Sequence, residues 1–206
     1  MTVDPSGMNI HSVPRSSADL ASRLLDSALA LFAERTYEGT QMPAVAAHAQ
    51  VGVGSIYRYF PSKEALGNAA FRQAKGGLLA ELTAATAQPA ATPREEFAQI
   101  WRAFTRFAGA NPAAFVFLEH QQHDTFLDAE SRVLAAEIDT FAADFIARGQ
   151  RAGAIRDGDA AFLVALALGA FGGLLKNIRP LPVTELPPQA LTGAESAVWD
   201  LLHRKT

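Results

Sequence analysis

The sequence predicts an all-α protein, with a small amino-terminal domain of three helices and a larger helical domain behind it. Two observations exclude a β fold: β-branched runs are few, and no Asn-Gly or Asp-Gly pair sits between alternating segments as a hairpin would require. A third is positive. Apolar residues recur at spacings of three and four, and clusters of Pro, Gly, Ser and Thr divide that pattern into separate rods.

Residues 1–15 carry Asp4, Pro5, Asn9, His11 and Pro14, with neither a basic start nor an apolar run like a secretory signal, and read as a flexible tail. Ser16 or Ser17 can cap the first helix, Asp19 lies in its acidic first turn, and Leu20, Leu24, Ala28, Leu31 and Phe32 form a stripe for a core. The pattern breaks around Tyr37, Glu38 and Gly39. Thr40 can cap a short second helix holding Val45, Ala46 and Ala49, with Pro43 in the first turn, where a missing N–H is tolerated. After Gln50, Val51 and Gly52 a third short helix runs to Phe60, Pro61 stops it, and Ser62 caps a fourth through Leu66, Ala70 and Leu82. The breaker cluster from Gln88 to Pro93 ends that rod. Thr92 as cap, Pro93 at the first position, and Glu95 and Glu96 in the first turn then start the next. Further helices are expected over 112–121, 127–150, 159–177 and 188–203. The domains are accordingly 16–77, with a helix-turn-helix motif over about 40–60, and 78–206.

At 206 residues, the chain is long enough to bury its own core. The absence of cysteine excludes disulfide scaffolds, zinc ribbons and thiol catalysis; it fits a reducing compartment, so the cytoplasm is the expected location. The longest uncharged stretch, Ala160 to Leu175, falls short of the roughly 20 apolar residues that a bilayer crossing needs, and no membrane partner is expected. There is no nucleophile elbow, phosphate loop or dinucleotide fingerprint, and Gly52-Val53-Gly54 lacks both a third glycine and a preceding strand. No catalytic residue and no cofactor are therefore expected.

The net charge of -3 argues against a nucleic-acid partner only until it is divided. Residues 1–75 hold seven Lys and Arg against six Asp and Glu, a net of +1, and the remainder holds 11 against 15, a net of -4. The acidity belongs to the second domain. The first keeps a thin positive footprint.

Thr40 to Leu66 carries the functional signal. Val45, Ala46, Ala49, Val51, Ile56 and Phe60 are the apolar set of two short helices joined by a tight turn, with Ala46 and Ala49 small enough for close approach. The other face of the second helix offers Val53, Gly54, Ser55, Tyr57, Arg58 and Tyr59, small or hydrogen-bonding groups that suit a DNA groove. As isolated helix residues, Tyr57 and Tyr59 would more often be half-buried packing groups than ligand contacts, and Arg58 a surface partner of Glu34 or Glu64.

Over Leu20 to Leu66 the sequence resembles the TetR family of bacterial transcription regulators. The resemblance lies in the run Ala28 to Arg35, in Tyr37-Glu38-Gly39-Thr40, and above all in Gly54 to Leu66, where Tyr57-Arg58-Tyr59-Phe60 precedes Pro61-Ser62-Lys63-Glu64. It implies a homodimer whose helix from Val53 to Phe60 enters the major groove of a double-stranded operator, one helix per half-site. Thr40, Tyr57, Tyr59 and Lys63 match positions that touch phosphate. Val53, Gly54 and Ser55 match those nearest base edges, with Gly52 at the cap and Arg58 as a lesser contact. Thr36 and Gln50 depart from the family, standing where relatives have glycine; a left-handed backbone there costs on the order of 1 kcal/mol.

For the second domain the resemblance implies a pocket for an unidentified small apolar or aromatic effector, which would release a repressor from DNA. Trp101, Phe104, Phe115, His120, His123, Phe141 and Phe145 are its candidate lining. Glu119, His120, His123 and Asp124 approach a metal-binding spacing but fit a solvated helix end or polar pocket wall better, and no metal is assigned. The last two helices are implied to form the dimer, through Phe162 to Ile178 and Glu195 to Leu202. The candidate interface residues are Phe162, Ala165, Gly169, Gly172, Gly173, Val198, Leu201 and Leu202.

Overall fold

A computed structural model describes residues 17–120, 123–178 and 188–204, so the expected tail over 1–15 and a cap at Ser16 lie outside the described residues. The order of helices is α1 (Ser17–Gly39), α2 (Met42–His48), α3 (Val53–Tyr59), α4 (Lys63–Ala85), α5 (Pro93–Ala110), α6 (Pro112–His120), α7 (Ala129–Arg151), α8 (Ala160–Ile178) and α9 (Pro188–Leu202). A 3-10 turn over His123–Thr125 follows α6. Among the described residues the sole sheet-like feature is an isolated bridge between Ile155 and His203. No described helix is long and apolar enough to cross a membrane.

In α1 the stripe Leu24, Ala28, Leu31 and Phe32 is buried. The helix bends at Thr36, whose backbone is left-handed at φ 65°. Two side-chain bonds compensate for the missing glycine: Gly39 N–H donates to Thr36 Oγ1 at 3.3 Å, and the Thr40 hydroxyl donates to Thr36 O at 2.8 Å. Thr40 therefore does not cap α2. Its hydroxyl is buried and also points at Leu31 O, 3.2 Å away, while Gln41 occupies the cap position without a side-chain cap bond. Gln50 is the second left-handed residue, at φ 58°, and its N–H and that of Val51 close the turn after α2 onto Ala47 O and Ala46 O. Arg23 of α1 donates to Ala49 O at 2.5 Å, a cation on the carbonyl end of α2.

The expected caps of the longer helices are in place. Ser62 accepts from Ala65 N–H and Thr92 from Glu95 N–H, each at 3.2 Å. The seventh helix starts two residues later than its apolar pattern indicates, because Asp128 takes the cap by accepting from Ser131 N–H at 2.8 Å.

The helix-turn-helix end is joined to the rest by apolar and hydrogen-bonded contacts. Phe32 stacks on Phe117 of α6 with centroids 5.4 Å apart, and Tyr37 stacks on Phe126 at 4.0 Å. Gly67 makes room for the second pair, since a Cβ there would lie 2.7 Å from the Tyr37 ring. Buried Asn68 fixes the same junction. Its amide donates to Glu64 O at 2.9 Å and Phe126 O at 2.8 Å, and its carbonyl accepts from Asp128 N–H at 2.8 Å. Both amide donors and the carbonyl are thus engaged, and two of the three bonds tie α4 to the segment before α7.

Candidate functional site

α3 has one buried residue, Ile56, which anchors it in the core beside α2. The opposite face is open. Val53 is 44% and Tyr57 47% exposed, and Gly52, Gly54 and Arg58 are exposed as well. Among the described residues no carboxylate lies within ion-pair distance of Arg58, and Glu34 pairs with Arg35 at 3.3 Å instead. The surface pairing open to Arg58 from sequence does not form, and its guanidinium is available to an external acceptor. Ser55 and Tyr59 are half-buried at the edges of this face. Lys63, in the first turn of α4, lies 4.5 Å from the Tyr37 ring centroid and donates to Glu38 O at 3.1 Å, so its ammonium is held against the end of α1. Thr40, expected at phosphate, has its hydroxyl engaged inside the α1–α2 corner.

A cavity of about 160 Å³ lies between α4, α5, α6, α7, α8 and α9. Phe104, Phe115, Phe141 and Phe145 of the expected set line it. Trp101 and His123 do not, and the His120 side chain lies outside the described residues. Trp101 packs edge-on against Phe171, with centroids 5.0 Å apart. The polar spacing of Glu119 to Asp124 does not produce a solvated helix end at His123: its ring is turned inward among Phe71, Phe117 and Phe126. Among the described residues no three His, Asp or Glu side chains gather as a metal site.

Burial lowers the His123 pKa to about 4, against a hydrogen bond to the Phe117 backbone that pulls it up. The folded state thus holds the neutral ring, while the unfolded chain protonates at the ordinary value of 6.5. Stability from this group is complete above that value and is lost as pH falls towards about 4. We expect His123→Gln to flatten the fall of Tm with pH across this window. Parallel Tm curves for the two proteins would contradict it.

Three charged residues also line the cavity: Glu119 of α6, from the cluster that the sequence offers as a polar pocket wall, and two that the sequence does not single out, Lys75 of α4 and Asp139 of α7. Periodicity holds a signal for Lys75. Lys75 stands on the same helix face as Phe71, Leu78 and Leu82, all buried, so a charge interrupts an apolar stripe. Gly172 of α8 leaves space for Glu119, whose Oε2 would be 2.9 Å from a Cβ at that position. Gly172 thus serves a contact within the chain.

The α8 and α9 surfaces divide differently from the interface expected of them. Phe162 is 61% exposed, and Ala165, Leu166 and Gly169 continue its stripe into solvent, with Leu201 of α9 also exposed. Gly173 is half-buried. Val198 and Leu202, expected at a dimer interface, are 4% and 1% exposed within the chain and belong to its own core.

Two family descriptions match the chain: "Bacterial regulatory proteins, tetR family" over residues 24–70, and "Tetracyclin repressor-like, C-terminal domain" over residues 80–203. Similar curated proteins include the HTH-type transcriptional repressor KstR of Rhodococcus jostii, 58% identical over 41 residues, and that of Mycobacterium tuberculosis, 54% identical over 41 residues. Each match covers 20% of this chain and 19% of the relative, so it spans about a fifth of the length of these repressors. Among solved structures, a putative TetR-family regulator from Shewanella is similar with a TM-score of 0.74 at 21% identity, over 90% of this chain and 99% of that one. The TetR-family regulator PfmR of Thermus thermophilus is similar with a TM-score of 0.67 at 25% identity, over 87% and 97%. With its helix-turn-helix end and its carboxy-terminal region both matched, the chain belongs to the TetR family of bacterial transcription regulators.

Proposed function

We propose that the protein is a homodimeric repressor that reads its operator with α3 and releases it when a small molecule enters the cavity of the second domain. The observation that carries this reading is the open face of α3, where Arg58 has no acidic partner among the described residues. Val53, Gly54 and Ser55 would face base edges, and Tyr57, Tyr59 and Lys63 would hold phosphates and fix the register. Arg58, with five donors in a planar fork, gains weight as a base or phosphate contact. Gly52 lets the backbone approach, because nothing lies within 4 Å of its missing Cβ. Work on DNA would place the protein in the cytoplasm.

Pairing through the exposed stripe of α8 and Leu201 of α9 would cover an apolar face that is costly to leave in water. Two recognition helices would then meet successive major grooves about 34 Å apart. An effector acts only through differential affinity for this spacing and another. In a protection footprint on the promoter beside the protein's own gene, the expected result is two symmetric half-sites one helical turn apart. Absence of any protected region at low salt would overturn the reading.

Replacing Phe162 and Leu166 together by Glu puts four like charges on the paired stripes and should give a monomer by mass measurement at micromolar concentration, with unchanged helical content. A dimer surviving both substitutions would place the interface elsewhere.

A further inference from the structure

The chemistry of the cavity wall goes further than an apolar effector. The lining is mostly aromatic and aliphatic, but Lys75 breaks it: the residue is half-buried, and among the described residues no hydrogen-bond acceptor or carboxylate oxygen reaches its ammonium. Glu119 and Asp139 act on it at longer range. Burial lowers the Lys75 pKa and those two carboxylates pull it back up. Neither takes the place of a direct partner. Glu119 is seated over Gly172 of α8 and has interactions of its own, and Asp139 is exposed at the cavity mouth, where water screens it. With no protein acceptor in reach and the ammonium not sealed from solvent, water is its partner in the free protein, and a carboxylate offered from the cavity would exchange that water for a charged acceptor.

Resting on the effector-cavity reading above, we infer that the cavity selects a small amphipathic carboxylate, whose charged end pairs with Lys75 while its apolar body lies among Phe104, Phe115, Phe141 and Phe145. The volume sets the size of that body. A cavity of about 160 Å³ is close to the roughly 150 Å³ that accepts a benzene ring. An aryl acid with one ring, or an alkyl acid of similar bulk, fits; a polycyclic body requires the helices to part. The pairing is charge-assisted in a place of low dielectric, where it discriminates more than in water.

The probes are phenylacetate, phenylacetamide and phenethylamine, three compounds with one ring and a negative, neutral or positive end. Calorimetric titration of the full-length protein should give phenylacetate the tightest binding. Lys75→Met keeps the apolar stem and removes the charge; it should weaken phenylacetate by about tenfold or more and leave phenylacetamide unchanged. Lys75→Arg restores a cation and should recover part of the loss. Tighter binding of phenethylamine or phenylacetamide to the wild type would overturn the carboxylate class while the cavity reading stands. So would phenylacetate affinity that ignores Lys75→Met. Failure of all three compounds to bind at millimolar concentration would overturn both the class and the cavity as an effector site, without touching the footprint expected for DNA.

Discussion

Arg58→Ala is expected to weaken operator binding by about two orders of magnitude, close to 3 kcal/mol summed over the two half-sites of a dimer. The size of the effect follows from what the residue does in the free protein. Its guanidinium is exposed on the open face of α3 and makes no ion pair among the described residues, so removing it breaks nothing inside the chain. The loss should therefore appear in DNA affinity and not in Tm. If Arg58 touches a base, affinity for the best sequence falls towards that for random DNA; if it touches phosphate, both fall together and the salt dependence shrinks. Binding measured by anisotropy on a labelled operator and on scrambled DNA separates these outcomes. An unchanged affinity for both would remove Arg58 from the interface.

Phe32→Ala should have the largest effect on stability, about 4 kcal/mol, with a fall in Tm of roughly 10 °C. Phe32 is completely buried and touches both parts of the molecule, stacking on Phe117 at 5.4 Å and lying at the same centroid distance from Tyr37. Its truncation opens a cavity where α1 meets α6, and neither helix can close it without shifting the ring pair of Tyr37 and Phe126. Thermal unfolding followed by circular dichroism measures the effect. A decrease below about 3 °C would mean that this junction relaxes freely, contrary to the packing described.

The elements that the sequence predicts well are those whose signals are local. Ser62 and Thr92 cap their helices because a hydroxyl placed just before a helix needs only the N–H groups that follow it. Thr40 has the same chemistry but a different fate. The left-handed turn at Thr36 brings the carbonyls of Leu31 and Thr36 to its hydroxyl, and those acceptors exist only after α1 has bent. His123 differs from its expected place for a similar reason: its spacing from His120 implies one continuous helix, whereas α6 ends at His120 and the ring of His123, in a 3-10 turn, faces inward. Val198 and Leu202 show a limit of apolar periodicity. A stripe that covers its own chain and a stripe that covers a partner look alike until the fold states which neighbour is present. The open face of α3 was legible because small and hydrogen-bonding residues stand opposite a single buried anchor, Ile56. Of the charged wall of the cavity, Glu119 stands in a legible polar cluster, whereas Lys75 and Asp139 join it from two other helices far apart in sequence and carry no joint signal.

In the proposed function a thinly charged domain binds duplex DNA through a few well-placed contacts. The most direct test is the salt dependence of operator binding by the wild-type protein. With Arg58 and Lys63 as the cations from each of two protomers, a plot of log affinity against log salt should have a slope of about -4. A slope near zero, or no saturable binding even at low salt, would contradict the assignment of α3 as a DNA-reading helix.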